Sequence, residues 1–311
     1  MIFACLALYF FLVLCGYKIQ SLPLSSKSRT CAWSLTIVGV TLEHFLSIGL
    51  SPLLRMLFII AALFAGVKTV VTLEEKRIGE DGLSLSRWLM FSFGWLGARG
   101  MIFAQPLTPS KDNAWELAKW GTLWLVCGSA LLSCTPNLPS GHLTIMIIFL
   151  ALSLIIHFGL LNLLAAFWQT VGVNCESQFR APFQSTSLSE FWGRRWNVAF
   201  SEMASIGIYR PLSPWMGTNI AALIVFIFSG LVHELVISLP VLAGFGLPML
   251  YFLIHGLLVV FERYIKKMGY PINRYWVIGW AWTMLWILLP FQLVFHQPFL
   301  DKIALPFIGM K

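Results

Sequence analysis

Residues 219–239 read NIAALIVFIFSGLVHELVISL. A helix of about 20 apolar residues crosses a bilayer, and this run meets that length with only His233 and Glu234 ionisable within it. An ionisable group at such depth is costly and faces the bundle interior or a water-filled cavity. That makes His233 a functional candidate. The plainer reading is a structural histidine hydrogen-bonded to another helix. The stretch is not the HExxH of zinc proteases, because position 237 is Ile.

Working outward from this run, comparable apolar stretches lie at 1–17, 31–50, 52–73, 117–133, 143–168, 246–263 and 276–296. With 219–239 they predict an all-α, polytopic transmembrane bundle of about eight spans. The run 1–17 reads as a retained first span, since it has neither a basic leader nor a small-residue cleavage site before Lys18. Composition points the same way. The chain of 311 residues is 58% hydrophobic and 11% charged, and its mean hydropathy is +0.80. A soluble domain is about 25% charged, so the solvent for most of this surface is lipid. The net charge of +8 would suggest nucleic acid as a partner in a soluble protein. Here it reads as cytoplasmic loop charge, with no nucleic acid implied.

With the N-terminus outside, the inner loops are 18–30, 74–116, 169–218 and 264–275. These regions and their edges hold most of the 21 basic residues, whereas the outer loops 134–142 and 240–245 hold none. The expected organisation is one integral membrane unit over 1–311: N-terminal spans in 1–168, a core in 169–263, and a last span and tail in 264–311. Residues 88–105 are apolar but broken by Gly94, Gly97, Arg99 and Gly100, which predicts an interfacial or re-entrant segment. Cys5, Cys15, Cys31, Cys127, Cys134 and Cys175 show no CxxC spacing, so neither a disulfide framework nor a zinc site is expected.

Residues 169–218, which include PFQSTSLSEFWGRRWNVAFSEMASIGIYRPLSPW at 182–215, are too polar to span and too aromatic for a plain linker. Ser187 and Glu190 have capping-box spacing. They predict a helix from Leu188 to Ile206, ended by Gly207. Leu188, Phe191, Trp192, Trp196, Ala199, Met203 and Ile206 would form one apolar face, with Arg194 and Asn197 neighbours on another. On the residues alone, this is equally an amphipathic helix lying on the inner membrane surface.

SLSEFWGRRWN at 187–197, a Tyr209-Arg210-Pro211 turn, and SGLVHEL at 229–235 together resemble the membrane-bound O-acyltransferase superfamily, in the branch of the plant wax synthases. The likeness covers about 165–263, and FGWLGARG at 93–100 adds a weaker match with Leu96 where the branch has Pro. The resemblance implies His233 as catalytic histidine and Asn197 as its polar partner. It implies a reaction chamber around Phe191–Trp196, with Trp192 and Trp196 near the substrate. It further implies acyl-CoA as cosubstrate with no bound cofactor, and an apolar alcohol as acceptor. Arg194, Arg195 and Arg210 would then meet the anionic donor, although anionic lipid explains them equally well. Glu234 is grouped with these binding candidates, or else it anchors packing.

Other polar residues in apolar stretches are Glu43, His44, Lys68, His157, Asn162 and His255. Structural pairing is the first expectation for each, with Glu43–Lys68 as an interhelical pair. A transporter or flippase with polar residues along a pathway is the competing functional class, and a non-catalytic scaffold the third. A bacterial inner membrane and the endoplasmic reticulum both fit the composition.

Overall fold

The computed structural model describes residues 1–76, 81–139 and 141–309. Among them the regular structure is entirely helical. The long helices are α1 (Ile2–Gln20), α2 (Ser26–Leu46), α3 (Pro52–Glu75), α5 (Lys111–Asn137), α6 (His142–Val171), α9 (Thr218–Val241), α10 (Leu247–Lys267) and α11 (Trp276–Val294). All except α2 are long and apolar enough to cross a membrane, seven in total. The exception covers 31–46 of the expected span 31–50. It is 21 residues long, but Thr30, Ser34, Thr36, Thr41, Glu43 and His44 dilute its hydropathy. The protein is an integral, multi-pass membrane protein.

Local chemistry sets the ends. Ser25 Oγ accepts from the Ser28 backbone N–H while Ser28 Oγ accepts from that of Ser25. This reciprocal cap starts α2 five residues before its apolar run. Ser51 caps α3, with Pro52 in the first turn where no N–H is needed. The α2–α3 hairpin packs closely: a Cβ on Gly66 would lie 2.6 Å from Thr36 Cα, so only glycine permits this approach.

The third helix is the centre of the bundle. Of its most apolar window 61% is buried, against 11% for α5. It lies against α1 and α2, and it touches the turn that follows His233. The short helix α4 (Leu85–Gly94) precedes irregular chain at 95–100 and a single tight turn at Met101–Phe103. Its burial of Trp88 and Phe91 against α1 and α3 leaves it well short of a span.

Lys68 does not pair with Glu43. Its ammonium donates to the carbonyls of Phe91 at 2.7 Å and Ser92 at 3.0 Å, and also to that of Trp95. A cation at the carbonyl end of α4 is favourable in both hydrogen bonding and dipole terms. Glu43 is fully buried beside Cys5, and its oxygens find no hydrogen-bond partner among the described residues. Lys68→Met is therefore expected to leave the Trp95 carbonyl without this donor and those of Phe91 and Ser92 with only the longer bonds from Trp95 N at 3.4 Å and Tyr9 OH at 3.5 Å, at about 1–3 kcal/mol for each left unpaired. A clear fall in the melting midpoint of the detergent-solubilised protein checks this. An unchanged midpoint would mean that desolvation of the ammonium already cancels its bonds.

Candidate active site

The motif segment is anchored at its start. Ser187 Oγ accepts from the Glu190 N–H at 3.1 Å, as its spacing predicts. The remaining donors of this first turn go to a residue 74 positions away. Glu262 on α10 accepts from Leu188 N at 2.7 Å, Ser189 N at 3.0 Å, Ser189 Oγ at 2.9 Å and Trp282 Nε1 at 3.0 Å. One buried carboxylate thus ties α7 (Leu188–Glu190), α10 and α11 together. Glu190 turns back to Thr186 and Arg195 instead. Burial would raise the Glu190 carboxyl, but those bonds outweigh it and hold the group below the usual carboxylate range.

The expected helix Leu188–Ile206 is broken. After Glu190 the chain widens into a π turn, Phe191–Arg195, closed by Trp196 N donating to Phe191 O at 2.8 Å. Asn197 then adopts φ +45°, the left-handed region, which Asn tolerates better than most residues. Its Oδ1 accepts from Phe200 N at 3.2 Å and caps a new helix, α8 (Val198–Ala204). The cause is tertiary. Arg195 O accepts from Arg180 N, and Val198 N donates to Gln178 O, both at 2.8 Å. Backbone from 178–181 therefore takes the groups that a continuous helix would pair internally. Gly207 ends nothing, because helical turns continue through Ser205–Tyr209 to Met216. With the break between them, Arg194 and Asn197 lose the shared helical face expected of them.

His233 is the last α-helical residue before a π turn, Glu234–Ser238, within α9. Its Nδ1 lies 2.7 Å from Ser229 O. A carbonyl can only accept, so Nδ1 carries the proton and the Nε2 lone pair is left free in the neutral ring. The imidazole lies 4.2 Å from the Phe252 ring and 6.5 Å from that of Phe200, centroid to centroid. Phe200 is also the residue whose backbone N–H Asn197 holds, so a single residue links the two. Trp192 reaches the same place from α7's side: its ring is 5.5 Å from Phe252 and 5.5 Å from His255. His233, Trp192 and the Asn197–Phe200 cap thus converge on Phe252 and Phe200.

The other expected site residues are divided. Trp196 stacks on Phe191 at 5.5 Å and meets Phe179 and His157 rather than Phe252 or Phe200. Arg195 is engaged, donating to Glu190 Oε1 at 2.7 Å and to the carbonyls of Arg180 and Ala181. Glu234 caps the start of α10, accepting from Gly246 N at 2.8 Å and Met249 N at 3.1 Å. Arg194 and Arg210 are exposed, and among the described residues neither makes an ion pair. Arg99 from FGWLGARG pairs with Glu202 of α8 at 2.8 Å, which brings this weaker motif onto the helix that Asn197 caps. Burial raises the Glu202 carboxyl, with Arg99 opposing.

Phe200, Phe252 and Glu262 carry no signal in the sequence beyond ordinary apolar or span-edge residues. The π turns are equally silent, yet such turns gather at functional sites. His157 lies in one at Leu154–Leu160, Trp192, Arg194 and Arg195 in Phe191–Arg195 and Glu234 in Glu234–Ser238, while His233 adjoins the last and Arg210 follows a further one at Ser205–Tyr209. Among the described residues no three His, Cys, Asp or Glu side chains are grouped to hold a metal ion. The larger cavity, about 900 Å³, lies between α6 and α11, with Met284, Leu288, Phe295 and His296 in its wall. It is apart from His233.

Residues 175–254, which contain both Asn197 and His233, match the "Membrane bound O-acyl transferase family". A long-chain-alcohol O-fatty-acyltransferase of Simmondsia chinensis is 34% identical over 107 residues, 32% of this chain and 30% of that protein. An acyl-CoA–sterol O-acyltransferase of Arabidopsis thaliana is 33% identical over 158 residues, 43% of this chain and 45% of that protein. A probable long-chain-alcohol O-fatty-acyltransferase of the same plant is 40% identical over 74 residues, 21% of this chain and 22% of that protein. The chain thus spans less than half the length of each of these relatives.

Proposed function

We propose that the chain, whose residues 175–254 match the membrane bound O-acyl transferase family and whose relatives include long-chain-alcohol and sterol O-acyltransferases, transfers an acyl group from acyl-CoA to the hydroxyl of an apolar alcohol. The acceptor classes are fatty alcohol, sterol or terpenoid. The observation that carries the proposal is the His233 ring, whose Nδ1 lies 2.7 Å from Ser229 O, so that in the neutral ring Nε2 is left as a base deep in a span.

Nε2 takes the acceptor's hydroxyl proton as its oxygen attacks the thioester carbonyl carbon. The tetrahedral intermediate bears an oxyanion. Asn197 has its Oδ1 engaged by Phe200 N–H, so its amide Nδ2 is the half left to donate, a contact of about 2.7–4 kcal/mol in oxyanion holes. Collapse breaks the C–S bond, and the departing thiolate takes the proton back from the imidazolium. An apolar acceptor reaches such a centre from the bilayer, while the polyanionic donor approaches from the side of the basic loops.

The test is thiol release in purified membranes from acetyl-CoA or palmitoyl-CoA, with a long-chain alcohol or a sterol supplied. Acceptor-dependent release supports the proposal, and the preferred donor separates acetyl transfer from wax synthesis. Release from neither donor with any acceptor, by folded protein, would favour the transporter reading. Asn197→Asp refines the test. Aspartate keeps an oxygen for the Phe200 cap but has no amide donor. The melting midpoint is therefore expected to hold while turnover falls by about 10²–10³-fold. A parallel loss of both would reduce Asn197 to its capping role.

A further inference from the structure

We propose that the cavity at the basic-loop end of α10 is a phosphate-binding subsite, filled during turnover by a phosphate of the donor's nucleotide part; the identity of that donor rests on the reading above. The cavity measures about 230 Å³ and is lined by Ser187, Ser189, Glu262, Arg263, Lys266 and Asn273, together with Pro271 and Ile272.

Its charge is positive in effect. The one acid, Glu262, already receives four donors, from Leu188 N, Ser189 N, Ser189 Oγ and Trp282 Nε1. Its lone pairs are met without Arg263 or Lys266. Arg263 spends one N–H on Thr218 O at 3.0 Å, and a guanidinium has five. Lys266 is exposed and, among the described residues, makes no ion pair. Ser187 Oγ accepts from Glu190 N, so its own O–H proton is free to donate, and the Asn273 amide adds further donors. Two cations, a hydroxyl and an amide around a small concavity match a phosphate, with the Arg fork suited to two of its oxygens.

The position fits the donor. From Glu262 to Phe252 is ten residues of one helix, roughly 15 Å at 1.5 Å per residue, and the Phe252 ring lies 4.2 Å from that of His233. A phosphate in the cavity and a thioester at His233 are separated by a distance that an extended phosphopantetheine arm bridges. The cavity shares a wall with the start of α7, and the π turn that follows α7 carries Trp192 to Phe252. Neither Arg194 nor Arg210 lines it. A phospholipid headgroup offers the same phosphate chemistry at this edge of the bundle, so the experiment must separate the two sources.

The Arg263→Gln/Lys266→Gln double variant removes both charges from partly exposed positions, and Lys266→Gln alone spares the Thr218 bond should the double variant fold poorly. CoA, dephospho-CoA and pantetheine are titrated calorimetrically into wild-type and variant protein in detergent. Co-purifying anionic phospholipid is measured by mass spectrometry. The expected result is tighter binding of CoA than of pantetheine by wild type, with that preference reduced roughly 10–100-fold in the double variant. Loss of retained phospholipid with unchanged CoA binding would keep the phosphate subsite and assign it to a headgroup. A variant that keeps both overturns the subsite. These are binding measurements, so a wild type that binds CoA but transfers nothing defeats the acyltransferase reading alone. Transfer with both the CoA preference and the retained phospholipid unchanged in the variant defeats the subsite alone.

Discussion

His233→Ala is expected to lower acceptor-dependent thiol release by about 10²–10⁴-fold, the range that a positioned general base supplies, with the fold intact. The side chain's one hydrogen bond runs to Ser229 O on its own helix, so no hydrogen bond between elements is lost. Alanine is the best helix former. What disappears is the ring against Phe252, a packing loss of about 1–3 kcal/mol that the melting midpoint reports separately from activity. His233→Gln is the companion variant. It keeps a polar, hydrogen-bonding group of similar reach but has no basic nitrogen, and it should be as inactive as alanine if proton transfer is the role. Activity within a few-fold of wild type in both would remove His233 from the chemistry and leave it a packing residue between α9 and α10.

His233 was legible because an ionisable residue in the middle of NIAALIVFIFSGLVHELVISL must be explained by something other than lipid. Asn197 was not legible in that way. Nothing in GRRWNVAF marks an exceptional asparagine, and only the resemblance singled it out. Bilayer thickness made the spans readable: runs such as 52–73 and 246–263 reappear as Pro52–Glu75 and Leu247–Lys267, longer by the turns that emerge into polar surroundings. The break at Asn197 was hidden because apolar residues recur at helical steps on both sides of it. It is imposed by Gln178 and Arg180, whose backbone groups have no signature in sequence. The same blindness produced the Glu43–Lys68 expectation. An opposite charge is visible in a sequence, whereas the carbonyls of Phe91, Ser92 and Trp95 that hold Lys68 are not. Glu234 fits this pattern too. Next to His233 it invites a place in the substrate site, yet its carboxylate takes the backbone N–H groups at Gly246 and Met249. In lipid, each helix end needs such a partner, and buried acids are well suited to provide it.

Glu262 is where that demand is concentrated, and its removal should cost the most stability. Glu262→Ala leaves two backbone N–H groups, a hydroxyl and an indole N–H without their acceptor. Leu188 is fully buried and Glu262 itself is 6% exposed, so water is a poor substitute there. Each stranded donor costs about 1–3 kcal/mol. The sum falls in the range above about 4 kcal/mol that single substitutions reach when a buried network is broken. The prediction is a large fall in folded yield and melting midpoint. In whatever folds, turnover should also fall, because the π turn that follows α7 carries Trp192 against Phe252 and α7 is no longer held to α10. Glu262→Gln separates the two effects. Its one amide oxygen still serves part of the network, while the amide nitrogen faces donors and repels them. It should lie between wild type and alanine in stability and recover part of the activity. Equal midpoints for wild type and alanine would show that the 178–181 backbone and Arg195 suffice to seat α7. Glu262 would then serve only to shape the cavity beside Arg263 and Lys266.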